Sequence, residues 1–261
     1  MSNLCLGIDM GGTLIKIAIV DGKANVLEEA VLKTDVKAPP KQIIKNIVNV
    51  FESLKFYEKV KAIGIGIAGD VDFQNGIIRF SPNLPKWKNI ALKKEMEKLT
   101  KKTVYVDNDA NTASIGAFWL DLGAKADNMV CVTLGTGVGG GIIINKKLYR
   151  GNSGTAGEIG HLTIEPYGNQ CNCGNRGCAE TYIGVRHLVR NAIELMKNKK
   201  SKYLLKLAGN DKTKITPKLI AVASSKGDPV AKQIWHDAGE KLGILLADII
   251  NFLNPDYIVR I

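Results

Sequence analysis

Three of the five cysteines in this 261-residue chain, Cys171, Cys173 and Cys178, fall within eight residues, and His161 precedes the first of them by ten. Three thiolates and an imidazole are the Cys3His donor set of a closed tetrahedral zinc site. The Cys-x-Cys spacing is tighter than that of nucleic-acid-binding fingers, and Gly174 and Gly177 supply tight turns between the donors. The chemistry indicated is a structural zinc staple on a loop. The alternative is a disulfide or a set of buried thiols, but a Cys-x-Cys bridge is strained and the first residues do not read as a secretion signal.

Two carboxylates lie beside these donors, Glu158 three residues before His161 and Glu180 two after Cys178. A metal that pins the loop would fix both, and fixed carboxylates at a cleft suit the hydroxyls of a polyol. Taken singly, each would be a solvated surface charge. A second polar cluster, Asp107-Asn108-Asp109-Ala110-Asn111, stands where a strand should pass into a helix, the place at which α/β enzymes put their chemistry. Asp109 is either a reacting carboxylate or a plain helix N-cap. Two glycine turns, Asp9-Met10-Gly11-Gly12-Thr13 and Gly135-Thr136-Gly137-Val138-Gly139-Gly140-Gly141, can offer backbone N–H groups to phosphates. The second holds five glycines in seven residues, more than a hairpin tip needs.

Elements must position these groups. Leu4–Ile8, Leu14–Val20 and Asn25–Lys33 read as a three-stranded antiparallel meander around the first glycine turn. Neither Gly-x-Gly-x-x-Gly nor Gly-x4-Gly-Lys-Ser/Thr fits there, because a β-branched strand and not a helix follows the glycines. Ile43, Ile44, Ile47, Val48, Phe51 and Leu54 recur at helical spacing, Val60–Ala68 is a buried strand and Gly76–Phe80 a shorter one. Asn89 can cap a helix to about Leu99, and Thr103–Val106 is a strand leading into a helix to about Leu122. Met129–Leu134 and Ile142–Ile144 flank the second glycine turn, repeating the strand, turn and strand of the N-terminus. Two similar halves imply a two-lobed α/β molecule with a cleft, divided as 1–107 and 108–261. Beyond the cysteines, Tyr182–Lys197 is helical, Lys199–Thr216 is charged and weakly structured, and Asp228-Pro229 caps a long helix to Leu253. Tyr257–Ile261 begins a strand.

The net charge is +11, from 36 Lys and Arg against 25 Asp and Glu, but lysines spread along most segments make a solvated surface a simpler account than a nucleic-acid groove. No apolar run reaches membrane-spanning length, since even Leu242–Ile250 is interrupted by Asp248. The expected setting is cytoplasmic, without nucleic-acid or membrane partners.

On these motifs the chain resembles the ROK sugar kinases and repressors, within the superfamily of actin-like ATPases and hexokinases. The resemblance covers essentially the whole length. It rests on Gly7-Ile8-Asp9-Met10-Gly11-Gly12-Thr13, Asn108-Asp109-Ala110-Asn111, Leu134-Gly135-Thr136-Gly137-Val138-Gly139-Gly140-Gly141 and, most specifically, Glu158-x-x-His161 followed by Cys171-x-Cys173-Gly174-x-x-Gly177-Cys178-x-Glu180. It implies a two-lobed actin-like ATPase (ribonuclease H-like) fold and an ATP-dependent hexokinase, foremost a glucokinase, with kinases of fructose, N-acetylglucosamine or N-acetylmannosamine as alternatives. It implies Asp109 as catalytic base, and Asn108, Glu158, His161 and Glu180 as sugar ligands, with Gly69 and Asn83 lining the pocket. ATP and Mg2+ would meet Asp9, Gly11, Gly12, Thr13, Gly135, Thr136, Gly137 and Gly139, with Lys16 either joining them or remaining a surface charge. One nitrogen of His161 would bind Zn2+ while the other donates to the sugar. A homo-oligomer, dimer or tetramer, is also implied.

Two further expectations follow. A repressor of this family would need a helix-turn-helix ahead of a first strand that here begins at Leu4, so a kinase is favoured, with a catalytically impaired sugar binder as the remaining alternative. The family's strand at Tyr257–Val259 leads into a further glycine loop against adenosine, so 261 residues are expected to be part of a longer chain.

Overall fold

Short apolar runs with alternating burial build the first part of the chain. In the computed structural model, which describes residues 4–261, β1 (Leu4–Met10), β2 (Leu14–Val20) and β3 (Val26–Lys33) form the expected antiparallel meander. There follow α1 (Pro40–Ser53), β4 (Val60–Ile67), the small antiparallel sheet of β5 (Asp70–Asp72), β6 (Ile77–Phe80) and β7 (Lys88–Ile90), then α2 (Leu92–Thr100), β8 (Thr103–Asn108) and α3 (Asp109–Leu120). β4 runs parallel to β1, and β8 parallel to β4, giving a five-stranded sheet of order β3-β2-β1-β4-β8. Along β1 the residues Leu4, Leu6, Ile8 and Met10 are buried while Cys5, Gly7 and Asp9 are exposed, so one face of the sheet is core and the other carries the polar groups. α1 covers the core face with Ile43, Ile44, Ile47, Val48 and Phe51, each contributing roughly 1.5–3 kcal/mol by burial.

The remaining elements are β9 (Met129–Leu134), β10 (Val138–Ile144), β11 (Lys147–Tyr149), α4 (Glu180–Ile183), α5 (Val185–Leu195), α6 (Lys202–Leu207), α7 (Pro217–Ser225), α8 (Pro229–Leu253) and β12 (Tyr257–Arg260). β12 pairs parallel to β9, and β10 turns antiparallel into β11. The chain forms two compact units: residues up to Asp127 with Gly141–Gly157, and Asn128–Gly140 with Glu158–Ile261. Position 107/108, the expected division, lies inside the first unit, because β8 runs directly into α3 and α3 packs back on β4.

Three local expectations are corrected. Asn89 caps no helix: it lies in β7 with a left-handed φ of 54°, and α2 begins at Leu92, whose side chain is buried with Met96. The helix expected over Tyr182–Lys197 is two, broken where Gly184 is extended. The segment expected to be weakly structured, Lys199–Thr216, contains α6, held because Leu204 is fully buried and its N–H donates to Asp228.

Asp228 ties that region together. Buried at the N-cap of α8, its carboxylate accepts from Ser201 Oγ at 2.9 Å, Leu204 N at 3.2 Å, Val230 N at 3.0 Å and Ala231 N at 3.1 Å. Asp228→Ala removes a cap and leaves a buried hydroxyl without its acceptor, an expected loss of about 2–3 kcal/mol in denaturant unfolding. A loss below about 0.5 kcal/mol would show these bonds to be dispensable.

Candidate active site

Strand register places Lys16, Asp9, Gly66 and Asp107 side by side across β2, β1, β4 and β8. Laterally paired residues share a face, and this one is opposite the core. Lys16 Nζ stands 3.8 Å from Asp9 Oδ2 with both side chains more than half exposed, a pair that contributes little to stability. Asp107 is buried instead. Its Oδ2 accepts from Arg150 Nε at 3.0 Å and Nη2 at 2.8 Å, and its Oδ1 from Asn108 N at 2.8 Å and Asn111 Nδ2 at 3.0 Å.

Asp109 opens α3 just beyond this row. The capping role belongs to Asn108, whose Oδ1 accepts from Ala110 N at 2.9 Å and Asn111 N at 3.2 Å, so Asp109 is not the cap. The Asp109 side chain reaches solvent, yet the protein around it is dense enough that desolvation raises its pKa, and the nearby charge of Asp9 raises it further. The two carboxylates therefore sense one another. Such a pair is the donor chemistry that a hard divalent cation such as Mg2+ would relieve.

Other expected residues meet in the same unit. Asn108 Nδ2 donates to Gly69 O at 3.1 Å, and Gly69 has a φ of 134° with its backbone pressed against Phe80 O, where a Cβ would overlap. Gly12 lies against Asn83. The first glycine turn is closed by Gly11 N donating to Leu14 O at 3.0 Å, and Thr34 braces it through Oγ1 to Gly11 O at 2.8 Å and N to Thr13 O at 2.9 Å.

In the second unit the turn after β9 is closed by Gly135 N donating to Gly137 O at 3.0 Å, and Gly135 and Thr136 are exposed. Glu180 sits against this turn. Its Oε2 accepts from Val138 N at 2.9 Å, and Gly137 is so close that a Cβ would overlap the same oxygen. The first N–H groups of α5 complete the contact, Val185 N donating to Gly135 O at 3.0 Å and Arg186 N to Thr136 O at 3.5 Å. Behind Glu180 is the buried His187, its Nε2 3.9 Å from Glu180 Oε1; burial holds its pKa below the usual histidine value.

The four expected zinc donors converge, with all ligand atoms within 4.8 Å of one another. No cysteine is disulfide-bonded. Cys171 Sγ is 3.6 Å from His161 Nδ1 and Cys173 Sγ is 3.6 Å from Cys178 Sγ. Metal–ligand bonds of zinc length in a tetrahedron give donor separations of about 3.5–3.8 Å, so the cluster fits the ion. Burial pushes the Cys178 thiol up to about 12 and raises Cys171, while the Asn175 backbone N–H lowers Cys173. Thiols bind such a cation by losing their protons. His161 Nε2, the nitrogen turned away from Cys171, is 3.9 Å from Glu158 Oε2.

Sequence reasoning missed Arg150, Thr34 and His187. Asp107 was in view within its motif, but its need for a cation was not. A buried acid at a strand end demands a partner, and among six arginines nothing in the spacing says which.

Two outcomes are expected. Metal analysis should find one zinc per chain, lost in Cys178→Ser and more weakly held as pH falls, since the thiols must be deprotonated; native protein without zinc overturns the site. Asp109 has a raised pKa, so its charged form destabilises the fold above the unfolded-state pKa and not below it. Asp109→Asn should therefore melt higher than the parent at pH 7, with the advantage vanishing as pH falls through the ordinary aspartate range. An equal or lower melting temperature at pH 7 contradicts the shift.

The family model for ROK matches residues 5–260. A glucokinase of Thermotoga maritima is 35% identical over 254 residues, which are 97% of this chain and 80% of that protein. A xylose repressor of Caldicellulosiruptor bescii is 30% identical over 259 residues, 97% of this chain and 64% of the repressor. Among solved structures, a ROK family glucokinase from Streptomyces griseus in complex with glucose and AMPPNP aligns with a TM-score of 0.84 at 35% identity, covering 99% of this chain and 82% of that one. Among the described residues no helix is long and apolar enough to cross a membrane. The fold is the α/β, two-lobed actin-like ATPase fold of the ROK sugar kinases, and the chain belongs to the ROK family.

Proposed function

We propose that this chain transfers the terminal phosphoryl group of ATP to the 6-hydroxyl of a hexose, with glucose the preferred acceptor. The observation that carries the reading is Asp109: a carboxylate in the first turn of α3 that leaves the N-cap to Asn108 while its Oδ1 accepts from Ala110 N at 2.9 Å, raised in pKa by its surroundings and set beside Asp9. Phosphoryl transfer asks for positioning and charge neutralisation more than for covalent help. Asp109 accepts the proton of the attacking hydroxyl, which becomes acidic only as its oxygen bonds to phosphorus. The two glycine turns, at Gly11–Thr13 and Gly135–Gly139, receive the phosphates through backbone N–H groups other than those of Gly11, Gly135 and Val138, which already donate within the protein. Mg2+, held at Asp9, neutralises phosphate charge when bound.

The sugar is held by groups with capacity left over. Asn108 Oδ1 is committed to helix N–H groups and one amide hydrogen to Gly69 O, which leaves the other hydrogen for a hydroxyl. Glu158 and His161 Nε2 form a donor–acceptor pair suited to one diol, and Glu180 offers Oε1 while its other oxygen holds Val138 N. Zn2+ at His161, Cys171, Cys173 and Cys178 would order the loop that carries these groups. The Thermotoga maritima and Streptomyces griseus glucokinases favour glucose as the acceptor.

ADP release with glucose, fructose, N-acetylglucosamine and N-acetylmannosamine tests the acceptor, glucose being expected to give the highest kcat/KM. Asp109→Asn should abolish turnover while sugar affinity, measured by calorimetry, stays within about tenfold. Turnover near the parental value removes Asp109 from the role of base.

A further inference from the structure

Asp107 has a buried carboxylate with four hydrogen bonds, and these divide cleanly between its two oxygens. Oδ1 takes the main-chain N–H of Asn108 and the side-chain amide of Asn111, so it fixes the end of β8 and the first turn of α3. Oδ2 takes both contacts from Arg150, just beyond the end of β11. The guanidinium carbon lies over the Phe73 ring, 3.6 Å from its centroid, and only a quarter of the Arg150 side chain is exposed. Arg150 O in turn accepts from Ala156 N at 3.1 Å, and Arg79 holds the same segment through Ser153 O at 3.0 Å. A buried carboxylate without its cation would turn toward other donors or draw in water, and either change loosens its hold on Asn108 and Asn111.

Resting on the reading of Asp109 as the base, we propose that Arg150 is a positioning residue for phosphoryl transfer: by clamping Asp107 it sets where Asn108 and Asp109 stand against the acceptor hydroxyl. Lysine does not substitute fully, because an ammonium supplies the charge but neither the two N–H bonds to Oδ2 nor the guanidinium contact with the Phe73 ring. Displacements of about 1 Å in a reacting group lower rates by up to about 10²-fold while binding groups elsewhere are unaffected.

The test compares parent, Arg150→Met, Arg150→Lys and Asp109→Asn, using ATP and the sugar ranked first in the acceptor panel. Each kcat is normalised to the fraction of protein that unfolds cooperatively. Arg150→Met is expected to lower kcat by about 10- to 100-fold with KM for ATP within about threefold, and Arg150→Lys to fall between it and the parent. A normalised kcat for Arg150→Met within threefold of the parent, or a loss confined to KM, overturns the assignment. Should Arg150→Met fail to fold, Arg150→Lys decides alone: a drop of threefold or more in kcat supports the clamp, and a smaller one refutes it. Asp109→Asn separates the two failures. If it remains active, the base reading falls and this assignment with it; if it is inactive while the Arg150 variants turn over normally, only the clamp is wrong.

Discussion

Like charges repel, and this fold gathers three carboxylates: Asp9 near the end of β1, Asp107 at the end of β8, with β4 between these strands, and Asp109 at the start of α3. The gathering is a consequence of the core. Alternating apolar residues on β1, β4 and β8 fix which face is buried, and parallel register then aligns Asp9, Gly66 and Asp107 on the other. Each acid is relieved differently. Asp107 is sealed under Arg150, Asp9 stays exposed with Lys16 at 3.8 Å, and Asp109 has its pKa raised, first by desolvation and then by the charge of Asp9. One residue type thus meets three different surroundings on one face of the sheet and the helix start beside it.

Much of this was legible in the chain. The meander, the strand into Asp107, the proline-started helices and the parallel last strand follow from apolar period and capping chemistry, and those signals are local. The Cys3His cluster was legible for the same reason: four donors within eighteen residues can hardly avoid one another. What was not legible depends on tertiary burial. Lys202–Leu207 looks like charged coil until Leu204 and Asp228 meet, and Gly184 breaks a periodic helix so that α5 can turn its N–H groups to the second glycine turn. Arg150 pairs with a residue 43 positions away, which no period encodes. Asp109 was ambiguous between base and cap, and the hydrogen bonds of Asn108 give the cap to Asn108.

The division of the chain is instructive in the same way. The repeat of strand, turn and strand suggested a boundary at 107/108, but compactness is decided by what packs on what, and the first turn of α3 is bound to the end of β8 through Asp107 and Asn108. Cutting there would separate Asp109 from the residues that orient it.

The second glycine turn has a property that its composition hides. Loops this rich in glycine lose much conformational freedom on becoming ordered, a loss of roughly 1–2 kcal/mol per residue for the backbone. Here Glu180 holds Val138 N, two α5 N–H groups hold the carbonyls of Gly135 and Thr136, and Gly137 is wedged against a carboxylate. The entropy of ordering the turn is therefore met when the chain folds, together with the packing of α4 and α5. A ligand arriving at this turn would meet backbone already ordered, so its binding free energy would be left for affinity and not consumed in organising the loop.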